Sequence, residues 1–228
     1  MRQAMILAAG RGERLRPLTD KLPKPLLVAG GRPLIEWQVE RLARAGFDRL
    51  VVNHSYLGTL IEECLGDGSR FGVRIRYSPE HPALETAGGV ARALPLLDDA
   101  PFLVVSGDIH TDFDYARLHP RAEAIAREPA RHVAHFVLVD NPAWHALGDM
   151  GLADGRVTRG GPRLTYGNIS VFHPAPFREI APGTALRLFP WAYRFVDEGR
   201  VSAERYSGPW DNVGTADQLA ALQERIAP

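Results

Sequence analysis

Residues 3–25 read QAMILAAGRGERLRPLTDKLPKP. The run Gln3–Ala8 is short, apolar and stopped by Gly10 and Gly12, the pattern of a buried strand that feeds a glycine loop. In a parallel α/β sheet, such a loop lies at the carboxyl end of the first strand, where open sheets bind ligands. Its glycines let backbone N–H groups turn toward an anion with no Cβ in the way. Residues 11–24 hold five cations, Arg11, Arg14, Arg16, Lys21 and Lys24, against Glu13 and Asp20, a local charge of +3. Two better-known glycine motifs do not fit. A dinucleotide fingerprint needs a third glycine where Leu15 stands, and a P-loop needs a Gly-Lys pair, which the chain lacks.

Outward from this stretch, strands and helices alternate. Pro33 opens a helix carried by Ile35, Val39, Leu42 and Ala43 and closed by Gly46. Leu50–Asn53 reads as a strand, Leu57–Leu65 as an amphipathic helix with Cys64 on its apolar face, and Val73–Tyr77 as a third strand. Thr86–Leu94 is a helix with Gly88 and Gly89 near its start, and Phe102–Ser106 is a fourth strand that ends in Gly107-Asp108. This alternation predicts an α/β fold with a mostly parallel sheet and helices on both faces. The second half differs. Val133–Val139 is another central strand, Gly148–Gly161 is turn-rich, and Leu164–Phe172 is a longer strand. A small hairpin-rich insertion at the sheet edge accounts for these. Leu186–Glu198 reads as a helix, Val201–Tyr206 as a strand, and Thr215–Arg225 as a final helix capped by Thr215. One domain over residues 1–228 is expected.

Composition narrows the function classes. With 27 basic and 27 acidic residues the chain is neutral, so no global field draws nucleic acid or an anionic membrane. No apolar run suits a membrane span or a signal peptide, and the reading is a soluble, cytoplasmic protein. Cys64 is the only cysteine, which excludes an internal disulfide, and the eight histidines show no zinc pattern. Glu13, Asp20, Asp98 and Asp99 read as solvated or turn side chains, and Trp37, Trp144 and Trp191 as core or interface. A monomer or small homo-oligomer is expected.

The motifs Leu7-Ala8-Ala9-Gly10-Arg11-Gly12-Glu13-Arg14 and Pro23-Lys24-Pro25 together resemble the sugar-1-phosphate nucleotidyltransferases. The resemblance continues through Gly30–Glu36, Thr86–Gly89, Gly107-Asp108 and Trp210–Thr215, in order over nearly the whole chain. It implies a Rossmann-like fold of the nucleotide-diphospho-sugar transferase type. It also implies transfer of a nucleotidyl group from a nucleoside triphosphate to a sugar 1-phosphate, with release of pyrophosphate. By the same resemblance Arg14, Lys24 and Asp108 are catalytic. Ala8, Ala9, Gly10, Arg11, Gly12, Glu13, Arg14, Lys24, Glu80, Thr86 and Gly88 bind the nucleotide. Gly148, Asp149, Gly167 and Asn168 bind the sugar phosphate, and Asp108 and Asp211 hold Mg2+. Asp149 and Tyr166–Asn168 read equally as turn residues. The GER loop and Leu84–Gly89 (LETAGG) imply UTP and N-acetylmuramate 1-phosphate as substrates. Alternatives are a mannose-1-phosphate or other hexose-1-phosphate enzyme, a cytidylyltransferase for phosphocholine-like acceptors, and a regulatory module that binds a nucleotide sugar without turnover. The family's Glu-Lys-Pro sugar segment is absent, and Asn168 replaces its usual glycine.

Overall fold

A computed structural model describes residues 1–226. The elements run β1 (Gln3–Leu7), β2 (Val28–Ala29), β3 (Arg32–Pro33), α1 (Leu34–Arg44), β4 (Arg49–His54), α2 (Gly58–Leu65), β5 (Arg74–Pro79), α3 (Glu85–Ala93), β6 (Phe102–Ser106) and β7 (Ile109–Thr111). They continue with α4 (His119–Arg127), β8 (Ala134–Val139), β9 (Met150–Ala153), β10 (Arg156–Thr158), β11 (Arg163–Phe172), α5 (Leu188–Trp191), α6 (Tyr193–Asp197), β12 (Val201–Tyr206), β13 (Trp210–Asn212) and α7 (Ala216–Arg225).

A nine-stranded sheet in the order β5-β4-β1-β6-β11-β8-β12-β10-β9 organises the chain. Strands β5, β4, β1 and β6 are parallel, as the strand–helix alternation requires. Beyond β6 the sheet is mixed. β11 runs antiparallel to both β6 and β8, while β12 returns parallel to β8. The β9–β10 hairpin closes the far edge, and β9 also pairs with the start of β11.

Strand periodicity distributes the core between the two faces. Ala4, Ile6, Leu50, Val52, Leu103 and Val105 face α1, α2 and α4. Met5, Val51, Phe102 and Val104 face α3 and the Phe177–Val196 region. This two-sided burial explains why the parallel strands read as continuous apolar runs. Cys64 is partly buried against the first cluster, and burial raises its thiol pKa, as suits a packing residue. Gly46, at φ 85°, closes α1: its N–H donates to Ala43 O and the Phe47 N–H to Leu42 O, each at 3.0 Å. Thr215 caps α7, accepting from the Gln218 N–H at 3.3 Å.

Two expectations change. Leu186–Glu198 is not one helix: Arg187 is extended, and so is Phe189 within α5 (φ −110°, ψ 135°), so that helical backbone resumes only after Phe189. The cause is Pro190, which drives the residue before it out of helical geometry. The ribbon of β7 and β13 was not visible in the sequence, because three-residue strands carry no period.

His135, on β8, is 1% exposed and lies 2.8 Å from Ser202 Oγ and 3.4 Å from Glu204 Oε1. Burial holds it below the ordinary histidine pKa and so favours the neutral ring. The unfolded chain therefore binds the extra proton first as pH falls through about 6.5, and stability decreases there. Urea midpoints measured from pH 8 to 5 should fall below pH 6.5, and His135→Gln should flatten part of that slope.

Candidate active site

The site forms where β1, β4, β5 and β6 end on the same edge. Asn53, near the end of β4, accepts the Ala8 N–H at 2.8 Å and donates through Nδ2 to Glu80 at 2.7 Å. Glu80 has no exposed surface, and its other oxygen accepts the Leu84 N–H at 2.8 Å. A buried carboxylate needs this much bonding to persist. The chain Ala8–Asn53–Glu80–Leu84 ties the glycine loop to the turn before α3.

The loop then folds back on itself. Gly12 is left-handed at φ 69°, and a Cβ there would lie 3.0 Å from Lys24 Cβ and 3.1 Å from Thr19 Cγ2. Thr19 Oγ1 donates to Gly12 O at 2.8 Å, and Leu15 is anchored in a small core with Leu27, Leu34 and Val213. This doubling places Lys24 Nζ against the Asp108 carboxylate, with side chains 13% and 22% exposed. Lys24 is thus not the unpartnered cation that excess positive charge in the loop suggests. Its removal leaves Asp108 short of a partner.

Gly10, Gly12, Glu13, Arg14, Lys24 and Asp108 line one cleft. It adjoins a pocket of about 640 Å³, large enough for a nucleoside, lined among others by Ala9, Arg11, Asn53, Tyr56, Glu80, Thr86 and Asp108. Arg11 lies over the Tyr56 ring at 4.8 Å. A third pocket opens beside Thr86 and Ser106 and includes Asn168 and Arg187. Gly214 sits close to Arg14: a Cβ there would be 2.9 Å from its guanidinium.

Other expected site residues lie elsewhere. Gly88 is buried within α3, where a Cβ would lie 2.2 Å from Thr184 O, so it serves packing. Asp149 accepts the Tyr166 N–H at 2.8 Å and meets His145 Nε2 at 2.9 Å, the turn alternative. Gly148 is a left-handed turn residue at φ 59° beside Asn141. Gly167 presses on Val137 O and accepts the Trp210 Nε1–H at 2.9 Å. Asn168, left-handed at φ 57°, does reach the third pocket. Trp144 is 52% exposed and stacked on Trp210, so it is not core.

Asp211, expected beside Asp108 as a metal ligand, is not among the residues that line the cleft. The β7–β13 register sets it opposite His110, and its carboxylate is ion-paired with Arg225. Burial, with Arg41 and Arg225 nearby, pushes His110 down to about 4, so that ring is neutral. Among the described residues no three His, Cys, Asp or Glu side chains converge as a metal cage. Asp108, which lines both cleft and pocket, fits one of the one or two carboxylates that magnesium takes alongside phosphate oxygens and water. Asn53, Tyr56, Ser106 and Arg187 also line these pockets, where no local sequence pattern marks a site. Only the polar end of the LVVN run hinted at one of them.

The signature of the Nucleotidyl transferase family matches residues 3–158. The chain is 47% identical over 227 residues to N-acetylmuramate alpha-1-phosphate uridylyltransferase of Neisseria meningitidis serogroup B, covering 97% of this chain and 96% of that protein. It is 34% identical to the protein of the same name from Caulobacter vibrioides, covering 98% and 96%. Among solved structures, HddC of Yersinia pseudotuberculosis complexed with GMP-PN superposes with a TM-score of 0.78 over 99% of this chain and all of that one. At 19% identity, that likeness is one of fold.

Asn53→Ala should leave the Ala8 amide and the Glu80 carboxylate each short of a partner, at a cost of about 3 kcal/mol. Urea denaturation measures the loss, and a midpoint unchanged from the parent would show that the chain of bonds is not limiting.

Proposed function

The chain belongs to the Nucleotidyl transferase family, and from that premise we propose that it couples UTP to N-acetylmuramate 1-phosphate, releasing pyrophosphate. The observation that carries the chemistry is the cleft in which Gly10, Gly12, Arg14 and Lys24 surround Asp108. The choice of base and sugar rests on the two full-length relatives of that name. Residues 1–228 are proposed as one catalytic domain.

In the reaction, a phosphate oxygen of the sugar 1-phosphate attacks the α-phosphorus of the triphosphate. The bond from that phosphorus to the β-phosphate bridging oxygen breaks, and pyrophosphate leaves with the electron pair. The attacking oxygen is already anionic at neutral pH, so the site needs no general base. The task is to hold two polyanions together and offset charge as it shifts toward the leaving group. Arg14 is assigned to the triphosphate tail and Lys24 to the reacting phosphates, while loop N–H groups orient the chain of phosphates. When bound, magnesium would be held by Asp108 and supply further charge neutralisation. Asp211 would join it only by leaving its ion pair with Arg225.

Lys24→Ala should lower kcat about 100-fold or more, the scale for losing one preorganised electrostatic group. Its fold should survive, with a modest stability loss from the orphaned Asp108; near-normal turnover would remove Lys24 from the chemistry. Pyrophosphate release over a panel of UTP, CTP, GTP and dTTP should be fastest with UTP. A preference for GTP would move the assignment to a guanylyltransferase.

A further inference from the structure

The third pocket contains a charge that phosphate binding does not use. Segment 184–187 is laid across the start of α3 by backbone bonds. Ala87 and Gly88 N–H groups donate to Leu186 O at 2.8 and 3.1 Å, and the Leu186 N–H donates to Leu84 O at 2.9 Å. The missing Cβ of Gly88 is what allows Thr184 O to come this close. Arg187 follows directly and is thereby fixed at the pocket wall, in the extended conformation that precedes α5.

Its side chain is 77% exposed and lies 3.6 Å from Glu85, an ion pair too long for a hydrogen bond. Among the described residues lining this pocket, Arg187 is the only cation and Glu85 the only carboxylate. The remaining wall combines polar Thr86, Ser106 and Asn168 with apolar Leu7, Leu188 and Phe189 and the ring of Tyr166. Arg14 and Lys24 belong to the neighbouring cleft, so Arg187 is free of the phosphate-binding work.

We propose that Arg187 recognises a carboxylate on the acceptor, remote from its phosphate, and so selects a sugar 1-phosphate whose sugar bears a carboxylate over one whose sugar is uncharged. This rests on the acceptor reading given above and adds the residue that enforces it. N-acetylmuramate differs from N-acetylglucosamine by a lactyl ether, which brings one carboxylate and one methyl group. Entering this pocket unpaired, that carboxylate would lose water and face Glu85. Beside Arg187 it accepts charge-assisted, bidentate hydrogen bonds, while Leu188 and Phe189 offer the methyl an apolar surface. Glu85, held loosely, is the partner that the incoming carboxylate displaces.

The test compares N-acetylmuramate 1-phosphate with N-acetylglucosamine 1-phosphate at saturating UTP, by pyrophosphate release. The parent enzyme should prefer the carboxylate-bearing acceptor. Arg187→Gln should raise KM for that acceptor about tenfold or more, while KM for the other one stays within about twofold, as expected for loss of a hydrogen bond to a charged group. KM for UTP should not move, and Arg187→Lys should recover part of the preference, because it keeps the charge without the planar fork. An unchanged ratio of the two KM values in Arg187→Gln, or equal KM values in the parent, would overturn the role of Arg187 and leave the transfer reaction standing. A parent enzyme that releases pyrophosphate with neither acceptor would overturn the acceptor reading and this inference together.

Discussion

A carboxylate with no exposed surface, Glu80, lies at the wall of the larger pocket, and the geometry of the site follows from how it is satisfied. Burying that group is costly unless its oxygens are bonded. Asn53 and the Leu84 N–H meet the need from two different segments, and Asn53 passes the connection on to Ala8. Three chain segments that end on one sheet edge are thereby locked in relative position. The glycine loop on one side of the pocket and the turn before α3 on the other cannot shift independently. Gly89 belongs to the same constraint, since a Cβ there would lie 2.5 Å from Glu80 Oε1.

On this frame the protein concentrates charge locally while remaining neutral overall. Arg16 pairs outward with Asp20 at 2.6 Å, which leaves Arg14 and Lys24 as the loop cations that line the cleft. Lys24 is held in place before any substrate arrives by its ion pair with Asp108. An anchored ammonium needs little reorganisation when phosphate charge develops, and such preorganisation is the main electrostatic resource of a transfer site. The same pair holds the Asp108 carboxylate at the wall shared by the cleft and the larger pocket.

The half of the sheet beyond β6 supplies the other wall. β11 crosses from β6 to β8 with an irregular register between Tyr166 and Ser170, where Asn168 takes a left-handed conformation. A bulge of this kind re-aims side chains at the end of a strand. Tyr166, with its phenol buried and its pKa raised, packs among Phe136 and Phe189 and stiffens the bulge from behind. The strap that carries Arg187 crosses to α3 and joins this half to the parallel half of the sheet.

Local chemistry was legible in the sequence by itself. The strand–loop–helix order, the parallel half of the sheet, the α1 stop at Gly46, the α7 cap at Thr215 and the charge-dense loop all depend on residues a few positions apart, where periodicity and capping act. The loop residues Gly10, Gly12, Glu13 and Arg14, with Lys24 and Asp108, do line one cleft. What the sequence could not decide was set by contacts between distant segments. The short β7–β13 ribbon turns Asp211 toward Arg225, a matter of register that no local pattern records. Gly88 serves the close approach of residue 184, and Arg187 reaches a pocket wall, only because a strap remote in sequence lies on α3. The physical reason is that spacing reports which face of its own element a residue occupies, whereas its partner across space is chosen by packing, hydrogen bonding and charge once the whole sheet has formed.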